Sequence, residues 1–349
     1  MSVLQTIDGD TVLTPEQQAE VCLVGGSSHP ELASAIAASM GIELGRVSLT
    51  QFPNGEQGVQ FLESVRERRV FIVQTGGSLP RSELHPQGFS IDNGIWQSFL
   101  LADAAERASA REVTIVAPCL PYARQDRKTK GREPISSAVA LRLMRASGVH
   151  RIVTVDLHAQ QTQSVFNGPF DHLTATELLA QSVLDAGFSG RLMVVAPDAT
   201  GLKAADKFND VLKLDGADFV RKRRSKTGDT IHGEAPDGVE GAICIAPDDM
   251  IDTGGTVAGA ARAMKKKGAK AVIAVATHPI LSGPAIDRLR GPLIDLLVVT
   301  DTLPLDRAKK ALGEKLVVVP VASLIGKALM EIAAGGSVSQ LFNGSTAMR

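Results

Sequence analysis

The residues best suited to chemistry lie in one string, Pro247–Thr256 (PDDMIDTGGT), after the apolar run Ala242–Ala246 and before the helical pattern Val257–Lys267. Two adjacent carboxylates, Asp248 and Asp249, close a strand. Asp252, Thr253, Gly254, Gly255 and Thr256 then form a small-residue turn into the helix. Glycines let backbone N–H groups converge on an anion, and a helix N-terminus adds positive potential. The Thr253 and Thr256 hydroxyls can donate to the same oxygens. Carboxylates cannot face that anion, so they suit sugar hydroxyls a few ångströms away, or a metal. The string reads as a seat for a 5-phosphorylated ribose.

Four further groups could do chemistry. Tyr122–Lys130 (YARQDRKTK) offers Arg124, Arg127, Lys128 and Lys130 to a polyphosphate from a loop after a strand. In Phe52-Pro53-Asn54-Gly55-Glu56 a turn brings together an aromatic face, an amide and a carboxylate, which can stack on a purine and bond its edge. His158 and Asp198 each follow an apolar run, Ile152–Val155 and Met193–Ala196, so both are expected at strand carboxyl ends, over one cleft. Lys222 and Arg224, in the extended run Val220–Arg224, project to the same side, where two cations can grip charge developing in phosphoryl transfer. The triplet Lys265–Lys267 ends a helix and reads as solvated charge favoured by the dipole. The Walker A pattern and a post-strand GxGxxG are both absent, so a nucleotide must be held by other means.

The elements that position these residues alternate. Strands are expected at 21–24, 70–74, 113–117, 152–155, 193–196, 242–246, 271–276 and 296–300, with helices near 29–40, 95–109, 135–147, 175–186, 199–209, 256–267 and 321–334. Such alternation, with strands apolar on both faces, marks parallel sheets covered by helices. Ala140–His158 also echoes Ala260–His278 without a gap, each a helix ended by Gly, a strand and a His. Val21–Gly41 and Leu192–Leu212 share a strand–loop–helix order. The expectation is α/β, one doubly wound parallel-sheet unit written twice. By this echo the basic loop at 122–130 stands where PDDMIDTGGT stands in the second copy. His278, the partner of His158, reads as structural.

Composition bounds the rest. A length of 349 residues suggests two domains. A net charge of −1 gives no general pull toward nucleic acid or membrane surfaces. One Trp and one Tyr argue against a stacking platform for single strands. No apolar run is long enough to span a bilayer, and the start MSVLQTIDGD has no signal pattern, so the expected location is cytoplasmic. Cys22, Cys119 and Cys244 lie far apart in apolar runs and read as buried thiols.

The string PDDMIDTGGT resembles the ribose-phosphate loop of type I phosphoribosyltransferases and of ribose-phosphate diphosphokinases. QFPNGE (51–56), PYARQDRK (121–128), REPIS (132–136), VDLHAQQ (155–161), PD (197–198), VRKRR (220–224), ATHPILSGPA (276–285) and SVSQLF (337–342) resemble segments of the second family, in its order. The resemblance implies two tandem domains of phosphoribosyltransferase type, 1–174 plus 331–349 and 175–330. It implies transfer of the diphosphoryl group of ATP to ribose 5-phosphate. Phe52, Asn54, Glu56, Arg124 and Gln125 would then serve ATP, the adenine turn coming from a neighbouring subunit of a hexamer built of dimers. Asp248, Asp249, Asp252, Thr253, Gly254, Gly255 and Thr256 would hold ribose 5-phosphate, His158 and Asp198 Mg²⁺, and Lys222 and Arg224 would be catalytic.

The chain departs from the family's pattern in a longer Leu79–Ile91, in Gly94-Ile95-Trp96-Gln97 where an acidic stretch is expected, in Pro247 and in Asp301. Arg132–Ser136 and Ser337–Phe342 resemble parts of its regulatory site. A non-catalytic paralogue is disfavoured by intact Lys222, Arg224, His158 and Asp248–Asp249, and a transferase consuming the product by the two-domain length and the ATP segments.

Overall fold

The computed structural model describes residues 11–78, 88–224 and 230–342, with the backbone alone for 222–224 and 230–232. Most of the unusual Leu79–Ile91 stretch, residues 79–87, therefore lies outside the described residues. The chain forms two compact units. One comprises the residues up to Thr174, Thr302–Pro304 and those from Val321 onward; the other comprises Ala175–Asp301 and Leu305–Pro320.

The first unit runs α1 (Pro15–Ala19), β1 (Val21–Gly25), α2 (Pro30–Ser39), β2 (Val47–Gln51), β3 (Gln57–Phe61), β4 (Arg69–Val73), α3 (Ile91–Arg107), β5 (Glu112–Val116), α4 (Ser136–Ala146), β6 (Arg151–Val155) and β7 (Phe170–Leu173). The second runs α5 (Thr176–Asp185), β8 (Leu192–Ala196), α6 (Leu202–Leu212), β9 (Ala217–Phe219), β10 (Arg221–Arg224), β11 (Thr230–Glu234), β12 (Ile243–Ile251), α7 (Gly255–Lys266), β13 (Ala271–Pro279), α8 (Ala285–Arg290), β14 (Leu296–Thr300), α9 (Asp306–Leu312) and β15 (Leu316–Val319). The chain then returns to the first unit as α10 (Ala322–Ala334).

That return comes earlier than the boundary expected at 331. Helix α10 buries Ile325, Ala328, Leu329 and Ile332 and packs on α2. Ser39 Oγ donates to the carbonyl of Ala322 at 3.2 Å, and Arg69 donates to that of Ala333 at 2.8 Å. The apolar face chose its partner, and sequence order did not.

Both sheets are parallel. The first has the order β1-β4-β5-β6-β7, the second β15-β14-β13-β12-β8-β9. Their strands are apolar on both faces, as helix-covered parallel strands must be. Cys22, Ile72, Phe99, Ile115, Met144 and Ile152 sit in the first core, and Cys244, Met264, Val272, Leu297 and Val299 in the second. All three cysteines are buried free thiols. No described helix is long and apolar enough to cross a membrane.

Each unit also carries an antiparallel hairpin, β2–β3 and β10–β11; of these the sequence pattern announces only the turn at 52–56 and the extended run that holds β10. These ladders correct the echo. The strand after each hairpin is β4 in one unit and β12 in the other, and the helices that follow, α3 and α7, both pack against the second hairpin strand. Helix α10 packs on α2 as α5 packs on α6. By this order β4 corresponds to β12, and β5 to β13. The echo therefore pairs β6 with β13 one step out of register, and the basic loop after β5 is not the counterpart of PDDMIDTGGT.

The echo is still a true local repeat. Both α4 and α7 end in a left-handed glycine, Gly148 at φ +96° and Gly268 at φ +91°. Behind each, the next N–H reaches back to close the same helix end, Val149 to Met144 at 3.1 Å and Ala269 to Met264 at 3.0 Å. Such a helix stop before a strand can recur at any step of a parallel sheet, which is why it misled the register.

Candidate active site

In the second sheet the chain leaves β8 for β9 on one side and later returns to β12 on the other. Such a reversal opens a crevice at the carboxyl ends of the two strands, where ligands of open α/β sheets bind. Asp198 lies just past β8, and Asp248 and Asp249 lie in the carboxyl-terminal half of β12, which runs on to Ile251. Asp198 accepts from the N–H of Thr200 at 2.9 Å and of Gly201 at 3.3 Å, which holds its carboxylate at the mouth of the crevice.

Asp248 and Asp249 are half-buried. Burial foremost, then the hydrogen-bonded carboxyl of Asp249 and its charge, with Asp198 adding the rest, push the Asp248 carboxyl up to about 8; one backbone hydrogen bond from Asp249 opposes this. Concentrated, poorly solvated acceptors of this kind favour partners that bring hydroxyl donors or positive charge.

The turn beyond them is built for close approach. Gly254 has φ +70°, and a Cβ there would stand 3.5 Å from the Cα of Ala285. Only glycine takes that backbone conformation without strain. Helix α7 starts at Gly255 without a side-chain cap, leaving its first N–H groups directed outward from the helix end. Asp252 accepts from Ser282 Oγ, a partner that the sequence reading did not identify. A phosphate would meet N–H donors, the hydroxyls of Thr253 and Thr256 and the helix dipole, with the carboxylates of β12 set back along the strand.

Lys222 and Arg224 sit on the backbone of β10, opposite His232 and Thr230 in the ladder, with an irregularity between Arg221 and Lys222. Two of the three helix-end lysines are not merely solvated. Lys265 pairs with Asp295 at 2.7 Å and Lys267 with Asp237 at 2.7 Å.

In the first unit Phe52, Asn54 and Glu56 are exposed on the turn that joins β2 to β3. The Phe52 N–H donates to Glu56 O at 2.8 Å, and the Glu56 N–H to Asn54 Oδ1 at 3.2 Å. Asn54 thus shapes the turn that displays the ring. The ring lies over Gly58, where a Cβ would stand 3.1 Å from Phe52 Cε2.

Arg124 and Gln125 are exposed after β5. Gln125 Oε1 accepts from Ser136 Oγ at 2.7 Å, which ties the basic loop to the start of α4. His158 is exposed just past β6. The sequence expectation that His158 and Asp198 share a cleft meets the division of the chain, which puts His158 in the first unit and Asp198 in the second. A magnesium ion binds through one or two carboxylates and keeps water and phosphate oxygens. The hard oxygens of Asp198, oriented by its turn, fit that demand.

The counterpart of PDDMIDTGGT in the first unit follows β4 and reads Thr75-Gly76-Gly77-Ser78, against Thr253-Gly254-Gly255-Thr256. The repeated TGG was the signal, and the misregistered echo hid it. Buried side chains line this loop. Gln74 donates to Gln97 Oε1 at 2.8 Å and accepts from the Ser28 N–H at 3.0 Å, while Thr75 Oγ1 donates to Thr302 O at 2.8 Å.

Comparison with known proteins adds a direct likeness. Residues 21–148 match the model of the N-terminal domain of ribose phosphate pyrophosphokinase, and residues 222–343 match that of the phosphoribosyl synthetase-associated domain. A ribose-phosphate pyrophosphokinase of Streptomyces avermitilis is 41% identical over 321 residues, covering 91% of this chain and 94% of that protein. One of Corynebacterium efficiens is 37% identical over 331 residues, 94% of this chain and 98% of its own. The crystal structure of phosphoribosylpyrophosphate synthetase from Mycobacterium smegmatis superposes with a TM-score of 0.81 at 35% identity, covering 91% of this chain and all of that one.

Proposed function

This chain belongs to the ribose-phosphate pyrophosphokinase family, and from that premise we propose that it transfers the diphosphoryl group of ATP to ribose 5-phosphate. The products are 5-phosphoribosyl 1-diphosphate and AMP. The observation that carries this reading is the second unit's crevice, where half-buried carboxylates on β12 lead directly into a left-handed Gly254 and the uncapped start of α7. That order suits a polyol with a phosphate at its far end.

Ribose 5-phosphate is held at Asp248, Asp249, Asp252, Thr253, Gly254, Gly255 and Thr256. The carboxylates accept from ring hydroxyls, and the turn donates to the 5-phosphate. The anomeric oxygen attacks the β-phosphorus in line, and its proton passes to solvent. The bond from that phosphorus to the oxygen shared with the α-phosphorus breaks, and AMP departs with that oxygen while the β- and γ-phosphoryl groups stay on the sugar. Little covalent chemistry is asked of the protein, so positioning and charge neutralisation supply the rate. Lys222 and Arg224 offset the charge that develops on the moving group.

Phe52, Asn54 and Glu56 read adenine in a neighbouring subunit, which requires an assembly, by family likeness a hexamer built of dimers. Arg124 and Gln125 contribute to ATP binding. Mg²⁺, when bound, would offset the charge of the nucleotide phosphates, with His158 and Asp198 each offered as a protein ligand. The deciding experiment measures AMP formed from ATP with ribose 5-phosphate and Mg²⁺ each present or omitted. Turnover that ignores ribose 5-phosphate would refute the proposal.

A further inference from the structure

The phosphate turn does not hold its shape unaided. The segment Leu281–Arg288 runs along it and takes three successive carbonyls. Leu281 N–H donates to Ile251 O at 3.0 Å, Ser282 N–H to Asp252 O at 3.1 Å, and the Arg288 guanidinium to Thr253 O at 2.8 Å. Ala285 lies beside Gly254, its Cα 3.5 Å from where a Cβ on that glycine would stand. Nothing in the ligand-binding string itself announces this support, and Arg288 lies well downstream of it in sequence.

We propose that Arg288 is a positioning residue for the 5-phosphate, an inference that rests on the ribose-phosphate reading of this turn. The argument is stereochemical. In a planar trans peptide the C=O of Thr253 and the N–H of Gly254 point in opposite directions. Fixing that carbonyl on Arg288 turns the Gly254 N–H away from the guanidinium, so that this N–H can serve a bound phosphate. A flipped peptide would present a carbonyl oxygen to the phosphate, exchanging an attraction for a repulsion.

Charge acts in the same direction. Arg290 takes the neighbouring carboxylate, Asp287, at 3.1 Å. Among the described residues no carboxylate pairs with Arg288, so its positive charge stays directed at the turn. One guanidinium nitrogen lies 3.4 Å from where a Cβ on Gly255 would stand, at the first residue of α7. A cation there polarises the Thr253–Gly254 peptide and adds to the field of the helix start. Lysine would restore the charge but not the planar fork that fixes the peptide's direction.

The test uses the full chain with ATP and Mg²⁺. Arg288→Met should raise KM for ribose 5-phosphate about tenfold, the scale of a lost charge-assisted hydrogen bond, while KM for ATP and kcat hold. Arg288→Lys should recover part of that loss. Activity with unphosphorylated ribose, however low, should be indifferent to both changes, because no 5-phosphate is present to feel them. A merely structural role would raise both KM values together and would touch ribose as well; that pattern, or an unchanged KM for ribose 5-phosphate, overturns the proposal. If Arg288→Met does not fold, the lysine variant still reports through the same split. Asp248→Asn/Asp249→Asn serves as the control. If that variant loses ribose 5-phosphate while Arg288→Met does not, only the role of Arg288 falls. If both bind it as wild type, the ribose-phosphate reading falls.

Discussion

The main-chain N–H of Asp249 donates to Oδ1 of Asp248 at 2.9 Å, and the two carboxyls meet near the end of β12 with Asp198 near enough to act on Asp248. Such crowding stores a cost that titrates. The ordinary value of Asp248 is 3.8, and in the fold it rises to about 8. Below the lower value both folded and unfolded chains hold the proton. Between the two values only the folded chain keeps it, so folding is progressively disfavoured as pH rises, and the loss levels off above the upper value. Asp248→Asn removes the titration. Its melting temperature should therefore gain on wild type as pH is raised through that window and keep a constant lead beyond it. Parallel melting curves across the window would show that the carboxyl is not raised.

Lys222 and Arg224 are expected to act on the reaction rather than on nucleotide affinity. They are two residues apart on extended backbone in β10 and far in sequence from the turn at Phe52–Glu56. Lys222→Ala and Arg224→Ala should each lower kcat by about 10²–10³, the scale of one preorganised contact to developing charge. ATP affinity should change little. Turnover near normal in both variants would remove them from the catalytic role.

Much of this was legible in the residues, for identifiable reasons. The buried parallel strands announce themselves because they are apolar on both faces, as in Ala271–Ala276. Gly254 and Gly255 before a helical pattern could only be a turn into a helix. The short ladders carry a period of two, Val47 and Leu49 and then Val59 and Phe61 facing the first core between Ser, Thr and Gln, but each run is only five residues long and too brief to stand out from a loop. Arg288 was invisible for a different reason. Its importance comes from a carbonyl that it reaches across a turn, and no spacing in the chain encodes that meeting.

The exposed Phe52 makes assembly a testable requirement. Its ring rests on Gly58 with about half of its surface open, 49% of it accessible. If it reads the adenine of a neighbour, specific activity should fall on dilution as the assembly dissociates. Phe52→Ala should raise KM for ATP by roughly 5- to 150-fold, given that base–aromatic stacking is worth ~1–3 kcal/mol. KM for ribose 5-phosphate should stay put. Light scattering that finds a fully active monomer would contradict the shared site.

The sharpest test divides the sugar from its phosphate within one turn. Asp248 and Asp249 lie on β12, whereas Thr256 lies one residue inside α7, so their contacts to a bound sugar phosphate should be separable. Asp248→Asn with Asp249→Asn keeps the shape of both side chains and removes the charge that strengthens a hydroxyl's hydrogen bond. It should weaken ribose 5-phosphate and leave ATP nearly untouched. Thr256→Val removes a hydroxyl donor beside the start of a helix, where an anion is already favoured. It should weaken ribose 5-phosphate as well, yet its effect should shrink for ribose lacking the phosphate, while the effect of the double Asn change persists. Calorimetric titration on a Lys222→Ala background, where turnover is suppressed, reads these affinities directly. Should the Asn and Val variants bind ribose 5-phosphate like wild type and lose ATP instead, the crevice of the second unit holds the nucleotide, and the assignment of its two halves is reversed.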